Sequence, residues 1–332
     1  MSVSKKLVVI VAMEGTALLD IAGPCDVFSQ ANKILRNDAQ QPGDGYEILL
    51  ASAVEDHHLK TQSGVELVCP VTIEELDRPI DTLLIAGLGT EFLQYNLHHF
   101  YEWLNKVYPR LRRIGSVCIG AYALARAGIL RGRRATTHWQ YTQDFQDRHP
   151  EVQLDTNPFY TRDGNVYTSG GLASGIDLAF ALLEEDYGRD LAAQVAKRMV
   201  IYLKRPGYQT QFGELLDHHR LANTLAGKLR PWMTQELHQD LSVERLAAQA
   251  NMSPRNFARV FLRESGLTPA KFVEKLRVET ARKYLEESDL SIEQIAEKCG
   301  LGGMVSMRRV FLRHISVSPS DYRRNFRTSL HA

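Results

Sequence analysis

The sequence predicts an α/β domain with a doubly wound, mostly parallel sheet, followed by an all-α domain with two helix-turn-helix units. Three observations carry that expectation. Short apolar runs alternate with helical segments over residues 1–190, and an internal repeat fills the last hundred residues. Charge also divides between the two parts. Residues 228–332 hold 18 lysines and arginines against 12 acidic residues, a balance of +6, while the rest holds 22 against 27, a balance of −5. A polyanion-binding end on a mildly acidic body fits that asymmetry.

At 332 residues the chain exceeds one ordinary core, and with 44% hydrophobic and 24% charged residues its composition is that of a globular protein. No run approaches the roughly 20 apolar residues of a membrane span, so no membrane partner is expected. The apolar stretch in MSVSKKLVVIVAMEG meets Glu14 at once and reads as a core strand, not a signal peptide. Cys25, Cys69, Cys118 and Cys299 are scattered without metal-ligand spacing, as in a reducing cytoplasm. The adjacent pairs His57-His58, His98-His99 and His218-His219 point to different faces and chelate poorly. The expectation is therefore no metal, no cofactor and a cytoplasmic location.

In chain order, Leu7–Val11 is a continuous apolar run, as a buried parallel strand requires. Asp20–Asn32 reads as a helix, and Tyr46–Ser52, Thr82–Ile85 and Arg113–Val117 as further strands. Ile119–Ala127 and Asp190–Lys204 read as helices, and Arg205–Asn223, with Pro206-Gly207, as a connector. Ligands of such sheets bind outside the carboxyl ends of the strands. Three ends stand out: Asp20 after the first strand, Gly87-Leu-Gly89 after Thr82–Ile85, and Gly115-Ser-Val-Cys-Ile-Gly120 at a strand-to-helix turn. The glycines offer backbone N–H groups. Cys118 at a helix N-terminus favours its thiolate, and Gly120 suits the crowding of such an elbow.

In the last hundred residues, Leu241–Ala247 is echoed by Leu290–Ala296 at an offset of 49. Arg259-Val-Phe-Leu-Arg263 is echoed by Arg309-Val-Phe-Leu-Arg313, and Thr268-Pro269 by Ser318-Pro319, at an offset of 50, so the second turn holds one extra residue. Ser242 caps a short helix, Asn251-Met252-Ser253 turns, and Ser253-Pro254 caps and starts the next helix. There Phe257, Val260 and Phe261 are expected to be buried, with Arg255, Ala258 and Arg259 opposite; Met307, Val310 and Phe311 are the matching buried set, with Val305, Arg308 and Arg309 opposite. The arginine fork bonds guanine O6 and N7 together. Ser253, Arg255, Asn256, Arg259, Val305, Arg308 and Arg309 are the candidate DNA-binding residues.

This stretch resembles the AraC/XylS family over about 100 residues, through the two units at 241–264 and 290–314, the long helix Pro269–Leu285 and the closing Ser318-Pro-Ser-Asp-Tyr-Arg323. The family's usual Gly-Phe at the second turn is here Gly300-Leu301, followed by Gly302-Gly303. The resemblance implies that both units enter successive major grooves, with the central helix setting their separation.

The first 190 residues resemble the class I glutamine amidotransferase-like superfamily, in its flavodoxin-like, intracellular-protease-like branch. The match runs through the Asp20 and Cys118 segments, Leu124–Gly128, Gly132–Trp139 and Thr168-Ser-Gly-Gly171. Its fusion to an AraC-type module is a recognisable family, GlxA-like or FtrA-like, which the chain also resembles at Arg205-Pro-Gly-Tyr-Gln209. The domains are then an effector-sensing domain over 1–204, a connector over 205–224 and a DNA-binding domain over 225–332. The resemblance implies a transcription regulator whose retired active-site pocket senses a small metabolite, of quaternary-amine or amino-acid-like class. It also implies a homodimer on operator DNA that engages RNA polymerase if it activates. The pocket candidates are Asp20, Gly87, Gly89, Cys118, Ile119, His138, Ser169 and Gly170. Protease-like members carry histidine directly after the cysteine, where this chain has Ile119, so a non-catalytic sensor is expected. The superfamily's isonitrile hydratases, which use such an acid–cysteine pair, supply the alternative of retained enzyme activity, as does thiol redox sensing. Cys118 is either a ligand contact or an inert relic.

Overall fold

Alternation along the first strand sets the architecture of the first half. In β1 (Lys6–Ala12), Leu7, Val9 and Val11 enter one hydrophobic cluster while Val8, Ile10 and Ala12 enter another. A strand buried on both faces needs helices on both. A computed structural model describes residues 5–37, 45–87, 97–201, 221 and 223–326, and the chain divides into two units, Met1–Arg205 and Pro206–Ala332.

The first unit holds a seven-stranded sheet. It contains β1, β2 (Tyr46–Ser52), β5 (Val71–Thr72), β6 (Thr82–Ile85), β7 (Arg113–Val117), β10 (Tyr160–Asp163) and β11 (Val166–Ser169), in the order β10-β11-β7-β6-β1-β2-β5. All neighbours are parallel except β10 with β11. The order reverses direction around β1 and β6, which is where such sheets open a crevice for ligands. Two small pairs complete the described strands: β3 (His58–Lys60) with β4 (Glu66–Val68), and β8 (Arg134–Ala135) with β9 (Gln153–Leu154).

One face of the sheet is covered by α1 (Leu18–Asn37) and α5 (Ala173–Arg198), through Val27, Phe28, Leu178 and Leu182. The other is covered by α2 (His98–Val107) and α3 (Ala121–Arg126), through Phe100, Leu104 and Leu124, with Phe145 of α4 (Thr142–Arg148) beside them. Arg113 anchors the start of β7 from within: it pairs with the buried Asp186 and donates to Thr82 Oγ1 at 2.9 Å. The strands expected at 46–52, 82–85 and 113–117 form over those residues. Two helices differ. The segment expected to be helical from Asp190 is the second half of α5, interrupted at Gly188 (φ 82°) and ending at Arg198. The helix expected from Ile119 begins as a 3-10 turn over Cys118–Gly120.

In the second unit, α6 (Leu225–Gln235), α7 (Val243–Gln249) and α8 (Pro254–Ser265) enclose a cluster with Met233, Leu246, Phe257 and Phe261. A second cluster, with Ile295, Met307, Phe311 and Tyr322, is enclosed by α10 (Ile292–Lys298), α11 (Met304–Ile315) and α12 (Pro319–Phe326). Burying each phenylalanine contributes about 2–3 kcal/mol. The helix α9 (Pro269–Glu287) runs through both clusters, giving Phe272, Val273 and Leu276 to the first and Val278, Ala281 and Leu285 to the second. One stiff element therefore serves two cores. The expected apolar faces form, except that Val260 is half-buried where its repeat partner Val310 is buried.

Candidate functional site

The two helix-turn-helix units are built by the same bonds. Ser242 and Ser291 cap α7 and α10, accepting from the N–H of Arg245 and of Gln294. At the matching place after each helix one residue is left-handed, Asn251 (φ 53°) and Gly300 (φ 64°), and the second turn adds Gly302 (φ 68°) and Gly303 (φ 89°). Met252 N–H then bonds to Ala247 O at 2.9 Å, and Leu301 N–H to Ala296 O at 2.8 Å. The extra residue is Gly302, because the turns match at an offset of 49 through Leu301 and the helices at 50 from Met304.

Each turn delivers the N-terminal half of a recognition helix to the surface. Arg255, Asn256 and Arg259 are exposed on α8, and Val305, Arg308 and Arg309 on α11; Ala258 is half-buried. Arg259 donates to Asn256 Oδ1 at 2.8 Å, a bond that holds its guanidinium over the helix start. Ser253 sits at the N-cap of α8, but its side chain makes no capping bond, contrary to the sequence expectation. Ser253 is exposed.

Pairing separates structural arginines from the rest. Arg245 is tied to Glu236 at 2.7 Å, Arg263 pairs with Glu264, and Arg313 pairs with Glu274, which also binds His314 at 2.6 Å. Arg255, Arg308 and Arg309 make no hydrogen bond or ion pair among the described residues. Unpaired guanidinium groups at the start of both recognition helices suit a polyanion that offers acceptors.

In the first unit, the ends of β6 and β7 and the start of α5 meet around Asp20, which is fully buried. Its Oδ1 accepts the Leu172 N–H at 2.8 Å and its Oδ2 the Gly87 N–H at 3.1 Å. Burial, only partly offset by those two bonds, raises the carboxyl to a pKa of about 6. Cys118 stands at the elbow after β7 with φ 58°, a conformation that a non-glycine residue holds only where its surroundings impose it. Thr137 Oγ1 fixes the elbow by donating to Cys118 O at 3.1 Å. The Gly171 backbone (φ 104°) passes so near that a Cβ there would stand 2.6 Å from Cys118 Sγ.

The thiol corrects one expectation. Burial first, and the Asp20 carboxylate second, push the Cys118 pKa well above the usual thiol range, against the pull of the Ile119 and Leu172 N–H groups. The short 3-10 turn does not offset them, so the thiolate is disfavoured at neutral pH. No base bonds to the sulfur among the described residues. His138 lies beside Thr137, packs at a tilt against Trp139 and Tyr141, accepts from Gln140 N–H, and burial lowers its pKa.

Of the predicted pocket residues, Asp20, Gly87 and Cys118 come together. Ile119 is buried in the core behind the elbow. Ser169 is buried and donates to Ser116 O at 3.3 Å, and Gly170 N–H bonds to Phe159 O at 2.9 Å, so both support the loop that carries Leu172. Gly89 lies outside the described residues, as does most of the connector. Sequence reasoning missed Gly171 and Leu172; the Gly170-Gly171 pair was the available signal, while a leucine at φ 45° has none. A separate groove of about 760 Å³, between Ile73–Ile80 and α2, is lined by none of the predicted residues.

Free arginines on two tandem recognition helices, in a chain that also holds an α/β unit with a buried acid and thiol brought together, define a two-part DNA-binding regulator. The chain belongs to the DJ-1/PfpI family, whose model matches residues 5–185, and a helix-turn-helix domain model matches residues 246–325. It is similar to the HTH-type transcriptional regulator CdhR of Pseudomonas aeruginosa, 30% identical over 73% of this chain and 71% of that protein. It is also similar to the HTH-type transcriptional regulator Rv1931c of Mycobacterium tuberculosis, 45% identical over 75% of this chain and 96% of the relative. Other matched regulators are spanned over 66% or 64% of their length. Isonitrile hydratase of Pseudomonas putida is 34% identical over 70% of this chain and 93% of the enzyme. Among solved structures, that of an AraC family transcriptional regulator from Pseudomonas putida has a TM-score of 0.51, with 21% identity over 58% of this chain and 99% of that one, and supports the fold. Among the described residues no helix is long and apolar enough to cross a membrane.

Proposed function

We propose that this DNA-binding transcription regulator senses a small metabolite at Asp20 and Cys118 and reads its operator through the starts of both recognition helices. The observation that carries the sensing half is a buried carboxylate without a cation. Asp20 is held by two N–H groups and pairs with no lysine or arginine among the described residues. A ligand bearing an ammonium group supplies the missing charge, which supports quaternary amines and amino-acid-like compounds as the effector class. Base readout falls to Arg255, Asn256, Arg259, Val305, Arg308 and Arg309, with Ser253 on phosphate. The protein acts in the cytoplasm as a homodimer, and contacts RNA polymerase if it activates.

The sensor is non-catalytic in this reading, because a neutral thiol with no bonded base is a poor nucleophile. Similarity to isonitrile hydratase supports a second reading, in which Cys118 and Asp20 serve as nucleophile and acid. The test is a thermal-shift series on the full chain with trimethylammonium compounds and α-amino acids, beside turnover assays with isonitriles. Saturable stabilisation that Asp20→Asn abolishes, without turnover, supports sensing. Turnover that disappears in Cys118→Ala supports the enzyme.

A further inference from the structure

The two recognition helices match residue for residue at an offset of 50, from Pro254–Ser265 onto Met304–Ile315. Their inward positions agree in kind: Phe257 with Met307, Val260 with Val310, Phe261 with Phe311. Arg259 with Arg309 and Leu262 with Leu312 also agree on the outside. Others do not, and two of them exchange arginine for an apolar residue. Arg255 is matched by Val305 in the first turn, and Ala258 by Arg308 one turn later. At these three positions each helix thus shows two guanidinium groups and one small apolar side chain, which lies between the arginines in the first helix and ahead of both in the second.

Val305 is 83% exposed and Met304, beside it, 55%. With Ile292, Leu312, Pro319, Ser320, Arg308 and Arg309 they line a hollow of about 410 Å³. A mostly apolar hollow lined by two unpaired cations fits a polyanion that also displays methyl groups. The major groove of DNA does so at thymine, through its C5 methyl, and at no other standard base. A valine has no donor for guanine, whereas an arginine in the same place bonds O6 and N7 together.

We propose that the two units read unlike half-sites: guanine opposite Arg255 in the first, and at the matching step of the second, thymine with its methyl packed on Val305. The assignment rests on the DNA-reading function of both helices.

The test selects a site from a randomised duplex library with the full chain, then replaces each thymine of the second half-site by deoxyuridine, which removes only the methyl. One replacement is expected to weaken binding roughly threefold to fivefold, and to cost little further in Val305→Ala. Arg255→Val is expected to shift the preferred base at its step from guanine to thymine. Both residues are exposed, so neither exchange disturbs a core. Indifference to every deoxyuridine, or an unchanged guanine preference in Arg255→Val, overturns the proposal. So does a Val305→Ala variant with normal DNA affinity that fails only in polymerase-dependent transcription, since the hollow then holds a protein. A library that yields no site at all overturns DNA reading itself.

Discussion

Gly300 packs against Leu237 so closely that a Cβ would stand 2.0 Å from the Leu237 carbonyl oxygen and 2.9 Å from Arg277 Nη2. Arg277, on α9, also donates to Gln239 O at 2.9 Å. The second unit's turn, the end of the first bundle and the connecting helix therefore meet at one point. Because the two clusters are otherwise separate cores, this contact helps to fix the spacing of the recognition helices.

Gly300→Ala should accordingly fail twice, through left-handed strain and through collision with backbone. A loss of about 2–4 kcal/mol in unfolding free energy is expected by denaturant titration. Affinity for the selected operator should fall more than affinity for random DNA. A variant of wild-type stability and specificity would show that the contact is not limiting.

Arg259→Ala and Arg309→Ala are each expected to weaken specific binding by about 1–3 kcal/mol and leave non-specific binding nearly intact. Titrations against selected and random duplexes at one salt concentration check this. Equal losses on both would assign these arginines to phosphate.

Much of this was legible in the sequence because the signals are local and periodic. The alternation of strands and helices placed three strands to the residue, and the repeat placed both recognition helices with their outward arginines. Less was legible in the pocket. Its geometry depends on Gly171 and Leu172, some 150 residues from Asp20, and on a leucine backbone at φ 45° that no sequence pattern announces. The thiolate expectation failed for a related reason: burial and a nearby carboxylate come from tertiary structure, and they outweigh one turn of helix.

Asp20 gives stability a pH dependence of definite sign. Its folded-state pKa, about 6, lies above the ordinary carboxyl value, so the native state binds the proton more tightly than the unfolded chain. The contribution is fully present below about pH 4 and is lost as pH rises through about 6. The unfolding free energy of wild type minus that of Asp20→Asn should therefore fall by about 2–3 kcal/mol between pH 4 and pH 7. A difference flat or rising with pH would contradict the assignment.

Cys118 should be sluggish toward alkylation. At pH 7.5 the native protein is expected to react with iodoacetamide at this position at least ~100-fold more slowly than the unfolded chain does. Asp20→Asn, which removes the neighbouring negative charge, should speed the reaction. A fast native reaction would restore the nucleophile reading.

The claim that one chain reads two adjacent major grooves is tested most directly by changing the spacing of the half-sites. Inserting half a helical turn, about 5 base pairs, moves one half-site to the opposite side of the duplex. Specific affinity is expected to collapse to that of a single half-site, in wild type and effector-bound protein alike. Affinity that survives the insertion unchanged would contradict it.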